Sequence, residues 1–160
     1  MLLNRKFIFV VMTFKQKIYD HYLQLVNDKI KMLEQVLADL KESGANETKS
    51  TAGDKHETAL AMLQIEQANT RDQLEKITQQ KAVMEKINPA VTTIAIVNGS
   101  VIKTNRGYFF MAIAAGKALV DGITVMAISP QSPLGMQLMG MKTGDTVTVN
   151  NSHYIVESMV

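Results

Sequence analysis

From Thr13 to about Ser43, apolar side chains recur at alternating steps of four and three, and this run constrains the fold more than any other feature of the chain. Tyr19, Leu23, Val26, Ile30, Leu33, Leu37 and Leu40 make an unbroken seam, the heptad spacing whose a and d positions meet a partner helix. Lys15, Lys17, Asp20, Asp28, Lys31, Glu34 and Asp39 fall off the seam, and no proline or glycine interrupts it. Ser43-Gly44-Ala45-Asn46 is expected to end the helix, because these residue types terminate helices. Residues 47–53 are small and polar and suit a loop. A second helical run is expected from 54 to about 87. Its seam of Leu60, Leu63, Gln67, Thr70, Leu74, Ile77, Lys81 and Met84 keeps the same spacing but is more polar. Asn88-Pro89 closes it, since proline cannot continue a helix and biases the preceding residue away from one. Two such helices joined by a short loop fold most simply as an antiparallel hairpin. At 1.5 Å per residue, about 30 residues give an arm of about 45 Å. The same spacing also fits two helices of a bundle, or a dimerising coiled coil.

After Pro89 the pattern changes. Segments 91–97, 100–104, 107–112, 123–128, 146–149 and 153–160 are short and rich in Val, Ile, Thr or aromatic residues, as strands are. Asn98-Gly99, Asn105-Arg106-Gly107 and Asn150-Asn151-Ser152 punctuate them with turn residues; the last joins two β-prone runs as a hairpin. Between strands, residues 133–139 read as one or two helical turns, capped by Ser132 with Pro133 at the first position. Residues 109–115 are apolar in succession, which fits a strand covered on both faces or a contact surface. The expected class is α+β: a helical hairpin followed by an antiparallel sheet with a short helix.

Charge divides at the same point. Residues 1–88 hold 25 of the 32 charged side chains and residues 89–160 hold seven. The first part therefore reads as a charge-laced, solvated element and the second as a compact apolar one. The expected domains are 13–88 for the hairpin, with its tip near 44–58, and 89–160 for the β-rich part. The net charge of +2 is too small to argue for nucleic-acid binding. The chain has no cysteine, which excludes disulfides, thiolate metal sites and thiol nucleophiles. The apolar run 7–12 follows Arg5 and Lys6 but is too short for a secretory signal or a membrane span. Residues 1–12 are expected to be a disordered extension, with Met12 a plausible start, and the chain reads as cytoplasmic with no membrane partner.

Ile128-Ser129-Pro130-Gln131-Ser132-Pro133-Leu134-Gly135, continuing through Leu138-Met139-Gly140 and Gly144-Asp145-Thr146-Val147, resembles the carboxyl domain of the Gre family of bacterial transcript-cleavage factors. That domain has a similar "IS-x-x-SPLG" turn, a short helix and a "GD-x-V" strand start. Asn98-Gly99-Ser100-Val101 resembles its opening strand. The order of a hairpin before an FKBP-like β-domain agrees over nearly all of residues 13–160. At the hairpin tip, Gly53-Asp54-Lys55-His56-Glu57-Thr58-Ala59-Leu60-Ala61 is similar to the family's "GD-x-x-EN-A-E-Y" motif. Asp54, Glu57 and Ala59 match; Thr58, Leu60 and Ala61 depart from it.

The resemblance implies a factor that binds bacterial RNA polymerase as a monomer and reaches its active centre through the secondary channel. There Asp54 and Glu57 would be the catalytic pair, holding a magnesium ion shared with the polymerase beside the RNA 3′ end. The chain would lend ligands and not be the enzyme itself. Ser132, Pro133, Leu134 and Gly135 would lie near the polymerase-docking surface. The residues alone leave other readings open. Asp-x-x-Glu at a helix start is also close to a capping box, and acidic residues there suit the helix dipole. His56 reads as a solvated loop histidine or as a contact to RNA or a carboxylate. His21 and His153 have no zinc-site spacing. Met136, Met139 and Met141 suit either a docking surface or core filling. The rivals are a channel-binding regulator without cleavage activity and, from the FKBP-like fold, a peptidyl-prolyl isomerase.

Overall fold

The computed structural model describes residues 12–47 and 53–160, and only the backbone of Asp54. The extension expected at 1–12 therefore lies, except for Met12, outside the described residues. Helix α1 runs over Phe14–Glu47 and α2 over Gly53–Glu85. They are followed by β1 (Val101–Thr104), β2 (Gly107–Met111), β3 (Gly116–Val120), β4 (Ile123–Ile128), α3 (Pro133–Leu138), β5 (Thr146–Val149) and β6 (Ser152–Met159). The chain forms two compact units: His21–Asn88, and residues up to Asp20 together with Pro89–Val160.

In the helical unit, every seam residue expected of both helices is buried or half-buried. Leu40 O accepts from Gln67 Nε2 at 3.2 Å, and Glu47 lies beside His56. As position advances along α1 its partner on α2 falls back, so the helices pair antiparallel. Outside the seam, Gln donates to Asp one turn on in three successive pairs along α1: Gln16–Asp20, Gln24–Asp28 and Gln35–Asp39. Each such surface pair contributes about 0.2–0.5 kcal/mol. A fully buried apolar side chain such as Val26 or Met84 contributes about 1.5–3 kcal/mol, so the seam holds the hairpin. Thr70, buried on α2, satisfies its hydroxyl by donating to Glu66 O at 2.8 Å.

The expected end of the first helix at Ser43-Gly44-Ala45-Asn46 is corrected: α1 continues through these residues to Glu47. Gly44 is a helix-interior residue and does not terminate α1. The position of a Cβ on it would stand 3.6 Å from Gln67 Nε2, the side chain that bonds back to Leu40.

The β unit is built on one sheet in the order β3-β4-β2-β1-β6-β5. Four pairings are antiparallel, and β2·β4 is parallel. The parallel pair follows from β3, which the sequence reading did not contain. The chain runs out to the sheet edge as β3 and returns through a two-residue turn at Asp121-Gly122, so β4 lies alongside β2 in the same direction. Both turn residues have positive φ, 50° and 76°, the I′ conformation that matches strand twist. Asn150-Asn151 makes the other such turn, at 49° and 60°. It joins β5 to β6 as the sequence suggested.

One face of the sheet carries Ile102, Phe109, Met111, Ile128, Val147 and Val156, closed by Leu138 of α3 and by Ile96. On the other face, Tyr108 meets Phe14 edge-on at 5.8 Å, so β2 is covered on both sides as its unbroken apolar run implied. Residues 91–97, expected as a strand, form none. Only Ile96 is bonded in sheet fashion, donating to Met141 O and accepting from Gly140 N at 2.8 Å each. Both edges of β1, the strand that follows, are already taken by β2 and β6, so this segment does not pair with its neighbour in sequence.

Thr13 caps α1, its Oγ1 accepting from Gln16 N at 3.1 Å. Lys17 pairs with Asp121 at 2.7 Å, and buried Lys15 donates to Val91 O at 2.6 Å. Burial holds the Lys15 ammonium below the ordinary lysine value of 10.5.

Two measurements check this account. Gly44→Ala meets only ordinary contact and removes a helix-interior glycine, so it should raise hairpin stability by about 0.5–1 kcal/mol in thermal unfolding followed by circular dichroism. Because the folded chain disfavours charged Lys15, the penalty is fully present below its lowered pKa and fades as pH rises through that value to the ordinary one. Relative to Lys15→Met, the unmutated chain should therefore gain stability as pH approaches 10.5. A difference that stays flat over that range would contradict the buried-lysine reading.

Candidate functional site

The turn end of the hairpin brings together the last residue of α1 and the first turn of α2. Gly53 opens α2 with a positive φ of 42°, and Asp54 and Glu57 follow within that turn. Three residues apart, they lie on one side of the helix. The amino end of a helix also favours negative charge. The carboxylate of Glu57 is exposed and has no ion-pair partner among the described residues. The capping-box alternative involves the side chain of Asp54, which lies outside the described residues.

Between them His56 differs from the solvated loop residue expected. It is part of α2 and half-buried, and its Nδ1 stands 3.4 Å from Glu47 Oε2. That is ion-pair distance but long for a hydrogen bond, and Nδ1 is buried without a hydrogen-bond partner. Glu47 was not visible as a site residue in the sequence. Its closeness to His56 follows from the antiparallel register, which the spacing of one seam does not give.

The other histidines are engaged elsewhere. His21 packs edge-on to Tyr22 at 5.5 Å, and His153 Nδ1 is 2.8 Å from Thr148 Oγ1. Among the described residues no group of three or more His, Asp or Glu side chains is placed to hold a metal ion.

The Ser132–Gly135 stretch has a full structural account. Ser132 caps α3: its Oγ accepts from Gly135 N at 3.0 Å and donates to Ser129 O at 2.7 Å. Pro133 takes the first helical position, where its missing N–H is not needed. Leu134 packs against the sheet core. Gly135 is buried, and a Cβ there would come within 2.0 Å of Ser129 O. Of these four only Pro133 is exposed. In the methionine cluster, Met139 and Met141 pack against the core, whereas Met136 is 60% exposed.

No family model matches the chain, and no curated protein matches it. Among solved structures, the chain is similar to the transcription factor Gfh1, with 15% identity over 88% of this chain and 90% of that one, at a TM-score of 0.31. Among the described residues no helix is long and apolar enough to cross a membrane.

The turn before α3 gives a direct test. Gly135→Ala drives a methyl group into a backbone oxygen and should destabilise the β unit by about 1–3 kcal/mol. Ser132→Ala removes the cap and should cost about 1 kcal/mol. Denaturant unfolding followed by tyrosine fluorescence would read both, and equal effects from the two would contradict the steric account.

Proposed function

We propose that this chain is an elongation factor that binds bacterial RNA polymerase and delivers Asp54 and Glu57 to its catalytic centre, stimulating cleavage of backtracked RNA. The observation that carries the reading is the position of the two carboxylate residues. They occupy the first turn of the second of two paired helices, 34 and 33 residues long. Each helix of that length extends about 50 Å, and a two-helix arm is slender enough to enter a channel. The motif match of residues 128–147 and the order of hairpin before β unit support the same reading.

The donor chemistry fits magnesium. Carboxylate oxygens are its preferred protein ligands, and it commonly takes only one or two from a chain while keeping several waters. Asp54 and Glu57 would hold it weakly alone, the remaining ligands coming from the polymerase. When bound, the ion supplies positive charge to orient and activate an attacking water and to stabilise the leaving oxygen. Glu57, solvent-facing and without an ion partner among the described residues, pays no cost in breaking an existing contact to serve as such a ligand. In this reading the polymerase is the enzyme, the factor acts as a monomer, and Pro133 and Met136 are the exposed members of the docking region near Ser132–Gly135.

Stalled elongation complexes carrying end-labelled RNA provide the test. The chain should shorten the transcript, while Glu57→Gln and Asp54→Asn each slow that cleavage by roughly tenfold or more. Asp54 stands in the first turn of α2, so Asp54→Asn loses only a charge–dipole interaction of about 0.3–1 kcal/mol and should leave the chain folded by circular dichroism. Normal stimulation by Asp54→Asn would eliminate metal delivery. Binding to polymerase without cleavage by the unmutated chain would favour the channel-binding regulator, a reading that the departures at Thr58, Leu60 and Ala61 keep in view.

A further inference from the structure

We infer that Glu47 and His56 are positioning residues: a polar brace that fixes the register of the two helices at their turn and holds the first turn of α2, which carries Asp54 and Glu57. Both residues continue the heptad seams. On α1 the steps of three and four that reach Leu37 and Leu40 go on to Gly44 and Glu47, and on α2 they run back from Leu63 and Leu60 to His56. Burial follows the same spacing. Gly44 and Glu47 are half-buried while residues 41–43, 45 and 46 are exposed, and His56 is half-buried between exposed Lys55 and Glu57. The apolar seam thus ends in a polar pair, with Nδ1 of His56 3.4 Å from Oε2 of Glu47. A polar residue at a seam position specifies register at a cost in stability, and here register sets the start of α2 against the end of α1.

The placement of charge supports this role. Glu47 is the last residue of α1, where the helix dipole disfavours a carboxylate, so the partner that favours it is on the other helix. On α2 the first amides have no acceptor within the helix, and helix ends fray. The seam position before Leu60 is His56 itself, so its contact with Glu47 ties that turn to α1. Neighbouring residues point about 100° apart around a helix. Bracing at His56 therefore leaves Glu57 exposed, with no ion-pair partner among the described residues. Ligand affinity falls in proportion to the fraction of chains in the competent conformation. A frayed first turn weakens magnesium binding, and excess magnesium draws the turn back into helix. What the ordered carboxylates do rests on the function proposed above.

Two readouts on the full chain separate the brace from the function it serves. The first is amide hydrogen exchange of the free chain, followed by nuclear magnetic resonance. His56→Gln and Glu47→Gln should each speed exchange at residues 57–59, whose amides bond back to 53–55, by about two- to fivefold, the effect of a partly exposed ion pair. Amides beyond Gln67 should be unchanged. Glutamine is a better helix former than histidine, and removing a carboxylate from the end of α1 relieves the dipole, so neither variant frays the turn for another reason. The double variant should exchange no faster than either single one, because the second substitution finds its partner already gone. The second readout is cleavage on stalled complexes. Either variant should raise the magnesium concentration for half-maximal stimulation by about two- to fivefold, with the rate at saturating magnesium and the affinity for polymerase unchanged. Unaltered exchange at 57–59, or effects that add in the double variant, would overturn the brace whatever the chain does to polymerase. Faster exchange with an unaltered magnesium requirement would overturn the positioning role. Should the unmutated chain stimulate no cleavage, the function and the positioning role fall together, while exchange still decides the brace.

Discussion

Everything at the candidate site depends on the antiparallel pairing of α1 with α2. Neither helix has another way to hide its apolar stripe within the helical unit, and a lone helix with surface Gln–Asp and Asp–Lys pairs gains only tenths of a kcal/mol from each. The seam fixes register as well as pairing. Once Leu40 faces Gln67, the end of α1 must meet the beginning of α2, and Glu47 is set against His56. The chemistry at the turn is therefore a consequence of packing many residues away. The second seam pays for its polar positions, Gln67, Thr70 and Lys81, by bonding or half-exposing them. Gln67 reaches a backbone oxygen on the other helix, and Thr70 folds its hydroxyl onto its own.

Three kinds of signal in the sequence fared differently. Heptad spacing located both helices, because a long amphipathic period has no strand equivalent. Boundaries were less legible. Ser43-Gly44 carries the composition of a helix end, yet the structure uses the glycine where Gln67 of the facing helix comes close. A glycine inside a helix and a glycine that stops one look alike in one dimension. In the β unit the error ran both ways. Residues 91–97 have strand composition, yet the following strand β1 is paired on both sides and they form no strand. Residues 116–120 form a strand from Gly, Lys and Ala, poor strand formers on average, because the Asp121-Gly122 turn folds them back onto β4. That dipeptide is the strongest local hairpin signal a sequence offers, and giving it weight would have exposed β3, whereas the parallel pairing of β2 with β4 depends on strand order.

At the tip, the sequence placed Asp54 and Glu57 three apart at the start of the second helix, which the structure begins one residue earlier, at Gly53. It did not identify Glu47. Contacts between elements depend on register, and register here is decided by which seam residue opposes which. The same limit applies to His56, read as a solvated residue although it lies inside the helical run expected from 54, because the facing Glu47 depends on register.

The residues that carry the resemblance and the residues that would carry the function are not the same. Ser132, Pro133, Leu134 and Gly135 are each required where they stand: a cap, a first-turn proline, a core contact, and a glycine with no room for a methyl group. A motif so fully consumed by folding marks how the chain turns from β4 into α3, and it would be needed whatever the β unit touched. Surface chemistry near it belongs to Pro133 and Met136, which the turn leaves exposed. The hairpin end reverses this relation. Glu57 is exposed and spent on no ion pair among the described residues, and His56 meets Glu47 only at ion-pair distance. Groups that a structure positions without using are where binding free energy remains to be gained, which is why the function proposed for this chain rests on its helical turn and not on the motif in the β unit.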